Sequence, residues 1–135
     1  MKKQFQITLS SFGFKYGLPA EATLVWDVRF LTNPYWVEEM RPKTGLDGEV
    51  AAYVLQSPAA IEFFRLIKPL LAFVVQENIS AGKTEMWLAV GCTGGQHRSV
   101  AVVEALRPLF ASEEIDISVL HRDMPRDIKR SSAAW

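Results

Sequence analysis

Nine consecutive residues, Gly91-Cys92-Thr93-Gly94-Gly95-Gln96-His97-Arg98-Ser99, concentrate the chain's capacity for chemistry in one short loop. Gly94 and Gly95 let the backbone take positive φ and approach a ligand closely, while the free N–H groups of a helix starting just beyond them face the same space. That combination binds anions. Arg98 adds a planar fork able to make two hydrogen bonds to one phosphate, and Thr93 and Ser99 add hydroxyl donors. His97 can donate to a phosphate oxygen once its own partner sets the tautomer. Far away in sequence, Asp27 is an acceptor only, so its natural partner is a sugar hydroxyl or an ammonium. Arg29 lies two residues further on and, in a strand, on the same face. Taken singly, each feature has an ordinary explanation: a Gly-Gly turn, a satisfied histidine, a capping aspartate. Together after a buried strand they point to an anion site built from Asp27, Arg29, Cys92, Thr93, Gly94, Gly95, Gln96, His97, Arg98 and Ser99.

A second chemistry fits the same loop. Five residues separate Cys92 from Arg98, and Ser99 follows, which is the spacing of cysteine-dependent phosphatases. In those enzymes a thiolate attacks phosphorus while loop amides and the arginine hold the oxygens. A helix N-terminus and a nearby arginine both favour thiolate, and Asp27 would then serve as general acid. Gly91, however, stands where many such phosphatases have histidine, and Cys92 has an ordinary role as a small packed residue at a strand end. Binding without turnover is the preferred reading and the phosphatase its alternative. Nearby, Ala81-Gly82-Lys83-Thr84 resembles the end of a P-loop, but Glu77 occupies the position that requires glycine and the local order is helix then strand. Nucleotide binding through it is rejected.

The elements that must position these residues follow from periodicity. Phe5, Ile7 and Leu9 alternate with Gln6, Thr8 and Ser10, as in a strand with one buried face, and Phe12 to Pro19 reads as a loop. Leu24 to Phe30 is a second strand ending before the turn signal Asn33-Pro34. Thr32 to Gly48 forms a long functional loop. From Asp47 to Asn78 the pattern is helical in two pieces, with Ser57-Pro58 starting the second and a kink expected at Pro69. Apolar residues wrap so much of that second helix that either a subunit interface covers the surplus or the helix is packed on several sides within the monomer. Met86 to Val90 is a buried strand, Val100 to Phe110 a helix, and Ile115 to His121 a last strand. Strands separated by helices predict an α/β fold: a mainly parallel sheet with flanking helices and the glycine loop at a strand-to-helix junction, where such sheets bind ligands.

The 135 residues suit one domain, with 49% hydrophobic and 22% charged residues. A core of that size needs no metal, cofactor or disulfide, and the single cysteine, Cys92, fits a reducing compartment. No signal-peptide pattern opens the sequence, and charges together with Pro69 interrupt the most apolar stretch, Ala59 to Val75, so a cytoplasmic protein without membrane contact is expected. Fifteen basic residues balance fifteen acidic ones, which removes a global field for nucleic acid.

Phe12-Gly13-Phe14-Lys15-Tyr16-Gly17-Leu18-Pro19, then Asp27-Val28-Arg29-Phe30-Leu31 with Asn33-Pro34, then Arg41-Pro42 with Thr44-Gly45-Leu46-Asp47, and finally Gly91 to Val100 resemble, in order, the signatures of the C-terminal domain of the RNase adapter RapZ family. The resemblance spans nearly the whole chain, with residues 1–123 as the domain and 124–135 as a basic, flexible tail. It implies a fold similar to a sugar-phosphate-binding part of phosphofructokinase and a domain that senses glucosamine 6-phosphate and self-associates. In some members it implies binding of a small RNA and its presentation to a protein partner, a ribonuclease. Family members usually carry an N-terminal P-loop domain, which these residues do not contain, so nucleotide hydrolysis is not expected. The basic residues that would meet RNA are Arg122, Arg126, Lys129 and Arg130, but Asp123 and Asp127 lie among them and weaken contact with a phosphate backbone.

Overall fold

A computed structural model describes residues 5–126. Its four strands are β1 (Phe5–Gly13), β2 (Leu24–Asp27), β3 (Glu85–Cys92) and β4 (Ile115–His121), and its helices are α1 (Gly48–Leu55), α2 (Pro58–Ser80) and α3 (Arg98–Leu106). Short 3₁₀ turns occupy Phe14–Tyr16, Pro34–Trp36 and Arg107–Phe110. The strands form one sheet in the order β2-β3-β1-β4, and every pair is parallel. The expected α/β architecture is therefore present.

Sheet order explains where the layers lie. From β1 to β2 the chain moves across the sheet in one direction, and from β2 through β3 to β4 it moves back. Right-handed crossovers therefore put the first connection on one face and the helices on the other. Phe5, Ile7 and Leu9 of β1 and Met86, Leu88, Val90 and Cys92 of β3 share the helix-covered face and pack with Phe64, Ile67 and Leu71 of α2 and Leu106 of α3. On the opposite face Phe14, from the β1–β2 connection, lies against Phe12 with ring centroids 4.8 Å apart.

Several boundaries move for identifiable reasons. β1 runs three residues past Ser10, because Ser10 and Ser11 are buried with partners instead of ending the strand: Ser10 Oγ accepts from the Trp87 indole at 2.9 Å, and Ser11 Oγ lies 2.7 Å from His121 Nδ1. β2 stops at Asp27 instead of Phe30. The Val28 N–H still reaches Gly91, but the Asp27 carboxylate captures the Arg29 N–H at 2.9 Å and Leu31 turns back to Val28. α3 begins two residues earlier than its apolar pattern suggests and gives way to a 3₁₀ turn at Arg107-Pro108. Ser57 caps α2 as expected, accepting from the Ala60 N–H, and the helix passes Pro69 without ending.

α2 buries Ala60, Phe64, Ile67, Leu71 and Val75. Ile61, Leu66, Leu70 and Phe73 stay between 46% and 61% exposed, so a helix packed on several sides within the monomer does not hold. No helix among the described residues is long and apolar enough to cross a membrane.

Candidate functional site

The carboxyl ends of three neighbouring strands meet at one place. Gly13 of β1 is in register with Cys92 of β3, and Asp27 of β2 with Gly91. Beyond them the loop Thr93–His97 crosses to α3, and every other loop at this edge is tied to it. Lys15 N–H donates to the Thr93 carbonyl at 3.2 Å, and Gly45 N–H donates to the Gln96 carbonyl at 2.8 Å. Glycines allow this closeness. A Cβ on Gly13 would lie 2.5 Å from the Gly94 carbonyl carbon, and one on Gly95 would lie 2.6 Å from the Gly13 nitrogen. Only Gly95 of the expected pair has positive φ, at 77°; Gly94 supplies the backbone that a Cβ on Gly13 would strike.

All ten sequence-predicted ligand residues come together here, but on two levels. Asp27 and Arg29 are exposed and Thr93 is half-buried, whereas Cys92, Gly94, Gly95, Gln96, His97, Arg98 and Ser99 are buried behind them. Arg98 is not an open fork. Its guanidinium, only 4% exposed as a residue, donates through Nη1 to the carbonyls of Arg29 at 2.6 Å and Leu31 at 3.3 Å, and through Nη2 to Thr93 Oγ1 at 3.4 Å. It clamps the β2 exit onto the glycine loop and presents the Thr93 hydroxyl. His97 is likewise inward-facing: Nε2 lies 3.2 Å from the Arg41 carbonyl, which only accepts, so in the neutral ring that nitrogen carries the proton. Burial holds the His97 imidazole below its ordinary pKa, against the pull of the Arg41, Lys43 and Met40 carbonyls, so the ring is neutral at neutral pH.

Cys92 is fully buried in the core. Its thiol lies 3.2 Å from Ser99 Oγ and accepts the Ser99 N–H at 3.4 Å. A nucleophile must meet its substrate, and this sulfur has no exposed surface in the structure.

At the surface Asp27 and Arg29 hold each other. Arg29 Nη2 reaches Asp27 Oδ2 at 2.6 Å, and its guanidinium lies 3.9 Å from the centre of the Phe14 ring. The Arg29 hydrogen bonds keep the Asp27 carboxyl below its usual range, so it is ionised at neutral pH. The lip of the site is thus one cation beside one anion, with the Thr93 hydroxyl and Lys15 nearby.

Sequence reasoning missed Phe14, Lys15 and Asp123. The first two follow directly from β1, the strand that lies between β3 and β4, and that place at the carboxyl edge was the signal available. Asp123 was hidden among alternating charges. It is fully buried and accepts from Gly13 N–H at 2.7 Å, from Arg122 Nη2 at 2.8 Å and from Arg126 Nε at 2.9 Å. Arg122 and Arg126, predicted to face RNA, both pair with Asp123 while their side chains stay 29% and 48% exposed, and residues 124–126 follow β4 with the Arg126 carbonyl held by Gln96. Lys129 and Arg130 lie outside the described residues.

Comparison with known proteins agrees with this architecture: residues 5–125 match the model of the RapZ C-terminal domain. This chain belongs to the RapZ C-terminal domain family. Among similar proteins, a nucleotide-binding protein of Mycobacterium leprae is 52% identical over 122 residues, which cover 90% of this chain and 41% of the relative. Nucleotide-binding proteins of Mycobacterium avium and Mycobacterium tuberculosis are 50% and 51% identical over 125 and 122 residues, again covering 90% of this chain and 42% and 40% of the relatives. The chain spans about two fifths of the length of these relatives, so the RapZ C-terminal domain is one part of each.

Proposed function

We propose that this RapZ C-terminal domain binds a phosphorylated amino sugar of the glucosamine 6-phosphate type at the Asp27–Arg29–Thr93 lip and acts as a sensor without catalysing a reaction. The observation that carries the reading is the exposed Asp27–Arg29 pair. A ligand with both a phosphate and an ammonium can exchange with it, the phosphate taking Arg29 and the Thr93 hydroxyl while the ammonium takes Asp27. Exposed ion pairs are worth only about 0–1 kcal/mol, so opening this one costs little. Charge-assisted bonds to the ligand are roughly twice as strong as neutral ones and repay the exchange. The buried tier of Gly94, Gly95, Gln96, His97 and Arg98 fixes the lip in place. The fully buried Cys92 favours binding over turnover. The name of the mycobacterial relatives gives no reason to assign a nucleotide to this site, since most of each relative lies outside the matched part.

Self-association through the exposed apolar face of α2 belongs to the same reading. So does coupling of the site to an RNA or protein partner.

Replacing Asp27 with asparagine tests the exchange. The variant keeps an oxygen for the Arg29 N–H and loses only the charge. Its affinity for glucosamine 6-phosphate is expected to fall about tenfold, the order for one charge-assisted bond, with a smaller loss for glucose 6-phosphate. Calorimetry on both ligands checks this, and equal losses would mean that Asp27 only shapes the turn that carries Arg29.

A further inference from the structure

The segment after β4 is laced to the glycine loop in both directions. From the loop, the fully buried Gln96 donates through Nε2 to the Asp123 carbonyl at 3.2 Å and the Arg126 carbonyl at 2.8 Å. From the segment, the Asp123 carboxylate takes the Gly13 N–H, and Gly13 is the residue against which Gly94 and Gly95 pack. A Cβ on Gly95 would also lie 3.0 Å from the Asp123 Cβ, so the carboxylate's own stem forms part of the loop's floor. Two guanidinium groups complete the set. Arg122 Nη2 reaches the Gly17 carbonyl at 2.7 Å as well as Asp123, and Arg126 lies 4.1 Å from the centre of the Tyr16 ring.

The electrostatics show why an aspartate is required. A fully buried carboxylate is costly unless paired and hydrogen-bonded. Burial alone would raise the Asp123 pKa; the Arg122 guanidinium, the Gly13 N–H and the Arg126 guanidinium together bring it below its ordinary value. It thus holds a backbone N–H of the β1 exit and both cations of the following segment at once.

We propose that Asp123 is a positioning residue that couples the glycine loop to the chain beyond β4, so that occupancy of the candidate site fixes the place of Arg126. Arg122 and Arg126 then act as struts that hold the Asp123 carboxylate, although their side chains remain 29% and 48% exposed. A change in the loop moves Gln96, Gln96 carries the 123–126 backbone, and Asp123 returns the constraint to Gly13. The ligand-dependent half rests on the site proposed above, whereas the contact between Asp123 and the loop does not.

Backbone amide exchange on the full chain separates the two halves. Without ligand, Asp123→Asn is expected to remain cooperatively folded while exchange at Gly13 and at residues 94–96 rises about tenfold, the order for one lost charge-assisted bond. Leu88 and Val90 in β3 should keep their wild-type rates, which a general loss of stability would not allow. Wild-type rates at Gly13 and 94–96 in the variant would overturn the proposal. Should Asp123→Asn fail to fold, Arg126→Gln removes one exposed strut, and its exchange at the same amides must still rise. With glucosamine 6-phosphate as probe, the wild type is expected to gain protection in the loop and at residues 123–126, and Asp123→Asn in the loop alone. Equal protection of both segments in the variant would overturn the coupling. No protection anywhere in the wild type would refute the binding site, leaving the ligand-free comparison to decide the role of Asp123.

Discussion

Gly95→Ala is expected to lower stability by about 3 kcal/mol or more, the sum of about 1–2 for a side chain in the left-handed region and a further 1–3 for forcing atoms into a packed site. The clash is with backbone, which cannot swing away: the added Cβ would lie 2.6 Å from the Gly13 nitrogen and 2.8 Å from the Phe12 carbonyl carbon. Gly82 provides the control. It has nearly the same φ, 82° against 77°, but a Cβ there meets nothing within 4 Å. Gly82→Ala should therefore cost only the conformational part, about 1–2 kcal/mol. Urea denaturation of both variants measures the difference. Equal losses would show that the β1 exit and the glycine loop are not in backbone contact.

How far the sequence reveals the site depends on which residues make it. Alternation in Phe5 to Leu9 and Ile115 to Val119, together with the Ser57-Pro58 helix start, is local information, and it sufficed for the sheet, the helices and the glycine loop at a strand-to-helix junction. The direction of the Arg98 side chain is not local. It is set by the carbonyls of Arg29 and Leu31, which lie 69 and 67 residues away in sequence and converge on Arg98 only when β2 and β3 pair. Ser10 and Ser11 read as a strand end because their partners, Trp87 and His121, come from two other strands. Asp123 has the same difficulty: among Arg122, Arg126 and Asp127 it looks like part of a solvated charge run. Its burial depends on Gly13, at the far end of the chain.

Arg98→Ala carries the second large effect and separates a clamp from an open phosphate fork. Loss of the guanidinium leaves the Arg29 and Leu31 carbonyls without their shared donor. Hydrogen bonds to charged groups contribute about 1.5–3 kcal/mol each, so a loss of about 3 kcal/mol is expected. For a domain of this size that lowers the melting temperature by about 10 °C. Arg98→Lys keeps the charge but, as a point donor, cannot span both carbonyls, and should fall between wild type and alanine. Calorimetric melting of the three proteins without ligand is the measurement. A wild-type melting temperature in Arg98→Ala, with ligand binding abolished, would mean that the arginine faces the ligand and the clamp is incidental.

The lip formed by Asp27, Arg29 and Thr93 is tested most directly by a calorimetric titration of the wild-type chain with glucosamine 6-phosphate, repeated on Arg29→Ala. Arg29 is the exposed cation of the site, so its removal should leave the fold intact while taking away the phosphate's main partner. The expected result is saturable binding of glucosamine 6-phosphate by the wild type, none of glucosamine, and at least about a tenfold loss of affinity in Arg29→Ala, the order for a charge-assisted contact. Absence of saturable binding by the wild type, or binding by Arg29→Ala as tight as by the wild type, would contradict it.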